Sequence, residues 1–165
     1  TLDRSSAASD VYKRQQVKCH ENFKPPNYTS GQQIPTLVCG DFNSTPDSGV
    51  YEFLNKGSAP GNHEDFMDHV YGTYTSEGLK HNYALRSAYS NIGEMPFTNL
   101  TPGFQGNIDY IWYTSNTLAA SCLLGEVDST YLSRVVGFPN AHFPSDHVCI
   151  LGEFKVKRLG IEATS

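Results

Sequence analysis

Three things are missing from this 165-residue chain: an apolar run long enough to cross a membrane, an excess of basic residues, and a pair of cysteines at metal-binding spacing. Each absence removes a class of protein. A spanning helix needs roughly twenty consecutive apolar residues, and a secretory leader needs a basic start followed by an apolar stretch. Neither is present, so no membrane partner is expected. The acceptor patterns for glycosylation that begin at Asn27, Asn43 and Asn99 are discounted for the same reason. With 12 Lys and Arg against 17 Asp and Glu, the net charge is -5. That argues against holding nucleic acid by bulk electrostatics. It leaves open a nuclease that works through a metal, since the cation supplies the local positive field. Cys19, Cys39, Cys122 and Cys149 form no CxxC. Three of them sit in apolar runs and are expected to be reduced core residues.

What is present suits one domain with a real core. Residues 1–33 are small, polar and rich in Pro, Gly and Ser, and are expected to be a disordered or non-native arm and linker. Residues 34–157 carry the folded pattern, and 158–165 read as a tail. Leu37, Val38 and Cys39 predict a strand covered on both faces. Pro46, Asp47 and Ser48 open a helix that places Val50, Tyr51, Phe53 and Leu54 at helical spacing and stops at Gly57. His63, Glu64, Asp65, Asp68 and His69 invite a metal reading, but no ligand spacing supports it, and a solvated surface loop is expected. Phe97–Leu100 predicts a short strand. Asn107–Tyr113 predicts another, with Ile108, Tyr110 and Trp112 on one face and Ile111 and Tyr113 on the other. Leu118–Leu124 reads as a strand and Asp128–Val135 as a short helix capped by Asp128. Val148–Val156 reads as a last strand, with Val148, Ile150, Phe154 and Val156 on one face. Mixed elements in this order imply an α/β layered sandwich.

Three strand ends concentrate the chemistry: GDFN at 40–43, NIDYIW around Asp109, and FPSDHV around Asp146 and His147. A phosphodiester resists water because its oxygens repel the nucleophile and its alkoxide leaves poorly. Hydrolysis therefore needs a hard cation, an oriented water and donors to the developing charge. Scattered aspartates suit magnesium better than zinc. Asp41 can orient or deprotonate water, and Asn43 can hold it or a phosphate oxygen. In an extended segment their spacing puts both on one side. His147 can donate to the phosphate if a carboxylate fixes its tautomer, and Asp109, on the Ile111 face, is the expected partner. Asp146, pointing to the other side of the chain from His147, is left for the metal with Asp41.

Residues 34 to about 156 resemble the second half of the endonuclease, exonuclease and phosphatase superfamily through GDFN, DYI and SDH. Through CGDFNSTPDSGVYEFL, GEMPFTNLTPGFQGNIDYIWYT, LLGEVDSTYL and GFPNAHFPSDH they resemble the carbon catabolite repressor type of poly(A) deadenylase, particularly its fungal form. The resemblance implies part of a four-layer α/β sandwich of the DNase I-like kind. It also implies a magnesium-dependent 3'-5' exoribonuclease that shortens mRNA poly(A) tails, as a subunit of a multiprotein deadenylase complex in cytoplasm and nucleus. Carried over by motif, Asp41, Asn43, Asp109 and His147 are catalytic, Asp41 and Asp146 bind metal, and Asn43 and Phe104 meet the substrate, Phe104 against an adenine base. Family members also carry, upstream, a metal-binding glutamate and a scaffold-docking leucine-rich repeat. Glu21 and Asn22 in CHENFKPP lack that glutamate's pattern, so a chain without its N-terminal half is expected. Two alternatives stay open: an inactive piece that only binds, and a phosphatase of the same superfamily.

Overall fold

The structure is a computed structural model that describes residues 28–157. The expectations placed on residues 1–27, Cys19, Glu21 and Asn22 among them, and on 158–165 lie outside the described residues. Within the stretch expected to be a linker, Gly31–Gln33 form a 3-10 turn capped by the Ser30 hydroxyl. The Asn116 side chain ties it down by donating to the Gln32 carbonyl.

Strand β1 (Leu37–Asp41) leads into helix α1 (Gly49–Lys56). The helix begins where the sequence indicates: the Ser48 hydroxyl accepts from the Tyr51 amide, satisfying a donor the helix leaves open. It ends at Gly57, whose φ of 78° is the left-handed conformation that glycine adopts without strain. Strands β2 (Ser58–Ala59) and β3 (Leu79–Lys80) then pair around a loop holding a 3-10 turn at Glu64–Phe66 and the short helix α2 (Thr73–Ser76). Most of this segment is exposed, as expected of a surface loop. His63 Nδ1 accepts from the Asp65 amide, and Asp65 accepts from the Gly49 amide. Among the described residues no three His, Cys, Asp or Glu are grouped to hold a metal.

After β4 (Leu85–Ser87) come the hairpin β5 (Asn99–Thr101) and β6 (Phe104–Gly106), then β7 (Asp109–Thr114), β8 (Leu118–Leu123), helix α3 (Ser129–Leu132) and β9 (Gly152–Val156). Asp128 caps α3, as expected, by accepting from the Tyr131 amide. The main sheet has the order β1-β7-β4, antiparallel throughout. Its middle strand is apolar on both faces, and both are buried. Tyr110 and Trp112 pack against Tyr51 of α1. Ile111 and Tyr113 join Ala88, Tyr89, Met95 and Leu118 on the opposite side. A second cluster gathers Phe97, Phe138 and Val148.

Three expectations need correction. β1 is not covered on both faces: it pairs only with β7, and this edge position leaves Leu37 47% and Val38 41% exposed. Cys39, Cys122 and Cys149 are free, as expected, but exposed and not core. Cys39 lies on that open edge and Cys122 follows a register shift in β8. The last strand starts at Gly152, not at 148, because the Val148 amide donates to the Thr98 carbonyl and draws its segment toward β5. Val148 therefore enters the second cluster while Ile150 and Phe154 pack on the first, and Val156 stays exposed. An unpaired edge carrying apolar side chains is a template for association. At micromolar concentration the chain should sediment as oligomers or bind an apolar-sensitive dye; a dye-silent, monodisperse monomer would contradict this.

Candidate active site

β1 and β7 run antiparallel with Asp41 directly opposite Asp109, so the ladder sets two carboxylates side by side at one end of the sheet. Past Asp41 the chain does not stay extended. The Asn43 amide donates to Asp41 Oδ1 at 2.8 Å, and Asn43 takes a φ of 47°. The side-by-side placement expected from extended alternation is thus replaced by a tight turn closed by the aspartate itself. Asparagine tolerates the left-handed region better than most residues. The turn is pinned to β7 by the Phe42 amide, which donates to the Ile108 carbonyl. It is pinned again by the Tyr110 hydroxyl, 2.8 Å from the Ser44 carbonyl. Burial, then the charge of Glu94, holds the Tyr110 phenol well above its usual pKa, so it stays a neutral hydroxyl.

Asp109 and His147 meet as the sequence indicates, with His147 Nδ1 2.7 Å from Asp109 Oδ2. That bond first, and then the charges of Asp109, Asp146 and Asp41, raise the His147 pKa above its ordinary value against the opposing effect of burial. Nδ1 is occupied by the carboxylate, and Nε2 has no partner among the described residues. Asp146 does not turn away from His147. The segment is bent where an extended strand was assumed, and both residues line one open cleft of about 390 Å³ with Asn43, Asn99, Phe104 and Ile108. Asp41 is not part of that lining. It reaches the site through its charge on His147 and its turn around Asn43.

Phe104 is 45% exposed at this cleft, so its ring is not a core anchor. It lies over Gly106, where an added Cβ would come within 2.6 Å of the ring.

The site roles of two residues went unnoticed in the sequence. Asn99, 6% exposed, donates from Nδ2 to Asp146 Oδ2 at 3.2 Å and bridges to His147. Thr98 is 1% exposed, and its hydroxyl accepts from the Ile108 and Asp109 amides, both at 2.9 Å. Its carbonyl takes the Val148 amide, so one residue fastens both the Asp109 and the His147 segments. Nothing in FTNLT distinguishes this pair from ordinary strand polars; only contacts ten and fifty residues away give them meaning. Thr98→Val keeps the shape and orphans two amides, and should destabilise the chain by about 2 kcal/mol or more. Thr98→Ser should restore most of that in a denaturant titration.

The donors here are hard: carboxylates and carboxamides, without a thiolate. One oxygen each of Asp41 and Asp146 has no hydrogen-bond partner among the described residues. A hard divalent cation that keeps its own waters fits such a set, because it asks for one or two carboxylates and not a closed cage.

Comparison with known proteins identifies what the chain is similar to. The chain is 66% identical over 134 residues to the CCR4-Not complex 3'-5'-exoribonuclease subunit Ccr4 of Mycosarcoma maydis, covering 81% of this chain and 20% of that protein. It is 59% identical over 133 residues to the subunit of the same name from Schizosaccharomyces pombe, covering 81% and 19%. The chain thus spans about a fifth of the length of these curated relatives. Among solved structures, that of ANGEL2, a 2',3'-cyclic phosphatase, superposes with a TM-score of 0.59 at 24% identity, over 73% of this chain and 44% of that one. That likeness speaks for the α/β sandwich fold alone. The model of the endonuclease/exonuclease/phosphatase family matches residues 7–147, and the GDFN turn, Asp109 and the Asp146–His147 pair all converge within that span. The chain belongs to the endonuclease/exonuclease/phosphatase family.

Proposed function

We propose that this chain carries the catalytic loops of a 3'-5' exoribonuclease that shortens poly(A) by hydrolysis, working as a subunit of a deadenylase complex in cytoplasm and nucleus. The observation that carries the reading is the shared cleft: an exposed aromatic ring, Phe104, stands beside the paired imidazole of His147 and the carboxylate of Asp146. A single-stranded nucleotide needs both, a flat surface for its base and donors for its phosphate. The likeness to the curated exoribonuclease subunits supports the activity and the complex.

Asp41 and Asp146 would hold magnesium, with Asn43 beside them. When bound, the ion supplies charge neutralisation at the phosphate and a more acidic water. The remaining work falls to the chain. Phe104 stacks on the terminal base, and Asn43 fixes the phosphate without adding negative charge. Asp109 keeps His147 in the tautomer that carries its proton on Nδ1 and favours the imidazolium. Nε2 of that imidazolium donates to a phosphate oxygen as charge builds there.

A second reading, an inactive piece that binds adenine or a partner, is favoured by one observation: no three metal-capable His, Cys, Asp or Glu side chains are grouped among the described residues. One assay separates them. Incubated with magnesium and an oligoadenylate, the chain should release mononucleotides from the 3' end, and His147→Ala should not. No shortening in either case leaves the binding reading. Release of inorganic phosphate from small phosphate esters with RNA untouched would point to a phosphatase.

A further inference from the structure

The loop between β2 and β3 holds a surface that the proposed reaction does not use. Met67 and Asp68 are consecutive non-glycine residues with φ of 51° and 60°. Left-handed conformations at such residues carry a cost and persist where the surroundings impose them. This reversal puts apolar side chains outward: Met67 is 72% exposed, Val70 85%, Tyr71 53% and Tyr74 57%. Single exposed apolar residues are ordinary, but these four fall within eight positions, and two of them border one cleft. Met67 and Val70 border an open cleft of about 450 Å³, with Glu64, Phe66 and Asp68 in the same wall. The Tyr71 ring lies 5.8 Å from that of Phe66, which fixes the patch to the cleft.

Besides His63 and His69 in its wall, the ionisable side chains around it are acidic. Residues 57–79 contain Glu64, Asp65, Asp68 and Glu77 and neither Lys nor Arg. Asp65 is engaged with the Gly49 amide. Among the described residues Glu64, Asp68 and Glu77 have no cationic partner.

We propose that this cleft docks a basic protein segment, in which an apolar side chain flanked by lysine or arginine enters between Met67 and Val70 while its cations meet Glu64 and Asp68. Methionine adapts its shape to varied apolar partners, and the carboxylate rim selects a positive one. RNA is a poor occupant, since its phosphates would face carboxylates with no Lys or Arg to offset them. A second copy meeting this cleft through the same face is also poor, because Glu64 and Asp68 would face the like-charged rim of the other copy. The cleft shares no lining residue with the one at His147.

Fluorescence anisotropy of a labelled peptide alternating lysine with leucine tests this, beside an all-lysine peptide and one alternating glutamate with leucine. Only the lysine–leucine peptide should saturate the chain, and added salt should weaken it. Val70→Ser and Asp68→Asn should each reduce affinity by about fivefold or more, a change of roughly 1 kcal/mol. Both sites are at the surface, and asparagine accepts the left-handed backbone. An unchanged circular dichroism spectrum then confirms that the fold is kept. Equal binding of the all-lysine peptide, or unchanged affinity in either variant, would overturn the proposal. So would self-association that Val70→Ser abolishes while the peptide fails to bind.

Discussion

Replacing Asp109 with asparagine should slow 3'-end hydrolysis by about 10²- to 10⁴-fold, the range in which a positioned proton donor contributes. The side chain keeps its size, so the loss comes from charge. In the parent chain the hydrogen bond to Asp109, followed by its charge, lifts the His147 pKa above the ordinary value of 6.5. The imidazolium therefore persists to higher pH than it would in an unfolded chain. A reaction that needs it runs fully at low pH on this limb and declines as pH rises through the raised pKa. In Asp109→Asn that decline should move to lower pH. Stability follows the same sign. The pairing contributes fully below the unfolded pKa, and the contribution is lost as pH rises through the folded one. Proton NMR titration of the His147 ring reads the shift without any turnover. An unchanged His147 titration would remove Asp109 from the positioning role, whatever the substrate proves to be.

The largest effect on stability is expected at Trp112. It is fully buried, with its ring 5.1 Å from Tyr51, 5.5 Å from Tyr110 and 6.5 Å from Phe42. It joins the middle strand to α1 and to the turn that carries Asn43. Trp112→Ala should cost about 3–5 kcal/mol. That is a large share of the roughly 5–15 kcal/mol that holds a typical domain. Trp112→Phe offers a sharper comparison. The indole Nε1 is buried without a hydrogen-bond partner, so phenylalanine removes that uncompensated donor along with some volume. Its cost in urea denaturation should be less than half that of alanine, at an unchanged slope.

How much of this could be read in the sequence follows from the range of the interactions. Local chemistry was legible. Ser48 and Gly57 bound α1, Asp128 caps α3, and the doubly apolar NIDYIW strand lies in the middle of its sheet. The Asp109–His147 pair was legible because a carboxylate set into that strand needs a partner. What escaped depends on neighbours distant in sequence. An apolar run looks the same in an edge strand as in a central one, so the exposure of β1 and Cys39 was invisible. The roles of Thr98 and Asn99 rest on bonds to residues 108, 109, 146 and 148. The bend before His147 brings Asp146 into its cleft, where alternation along a strand would have parted them.

The ring of Phe104 rests over Gly106, which ties its position to the lack of a side chain there. A methyl group at 106 would strike the ring's far edge, 2.6 Å away, and the ring can swing aside, whereas a β7 carboxylate cannot be altered without touching the chemistry. Under the proposed stacking of Phe104 on the base, position 106 is a place where the ring can be reoriented while Asp109 and His147 stay fixed. A larger residue at 106 should therefore displace the ring and alter base preference while leaving the Asp109–His147 pair intact.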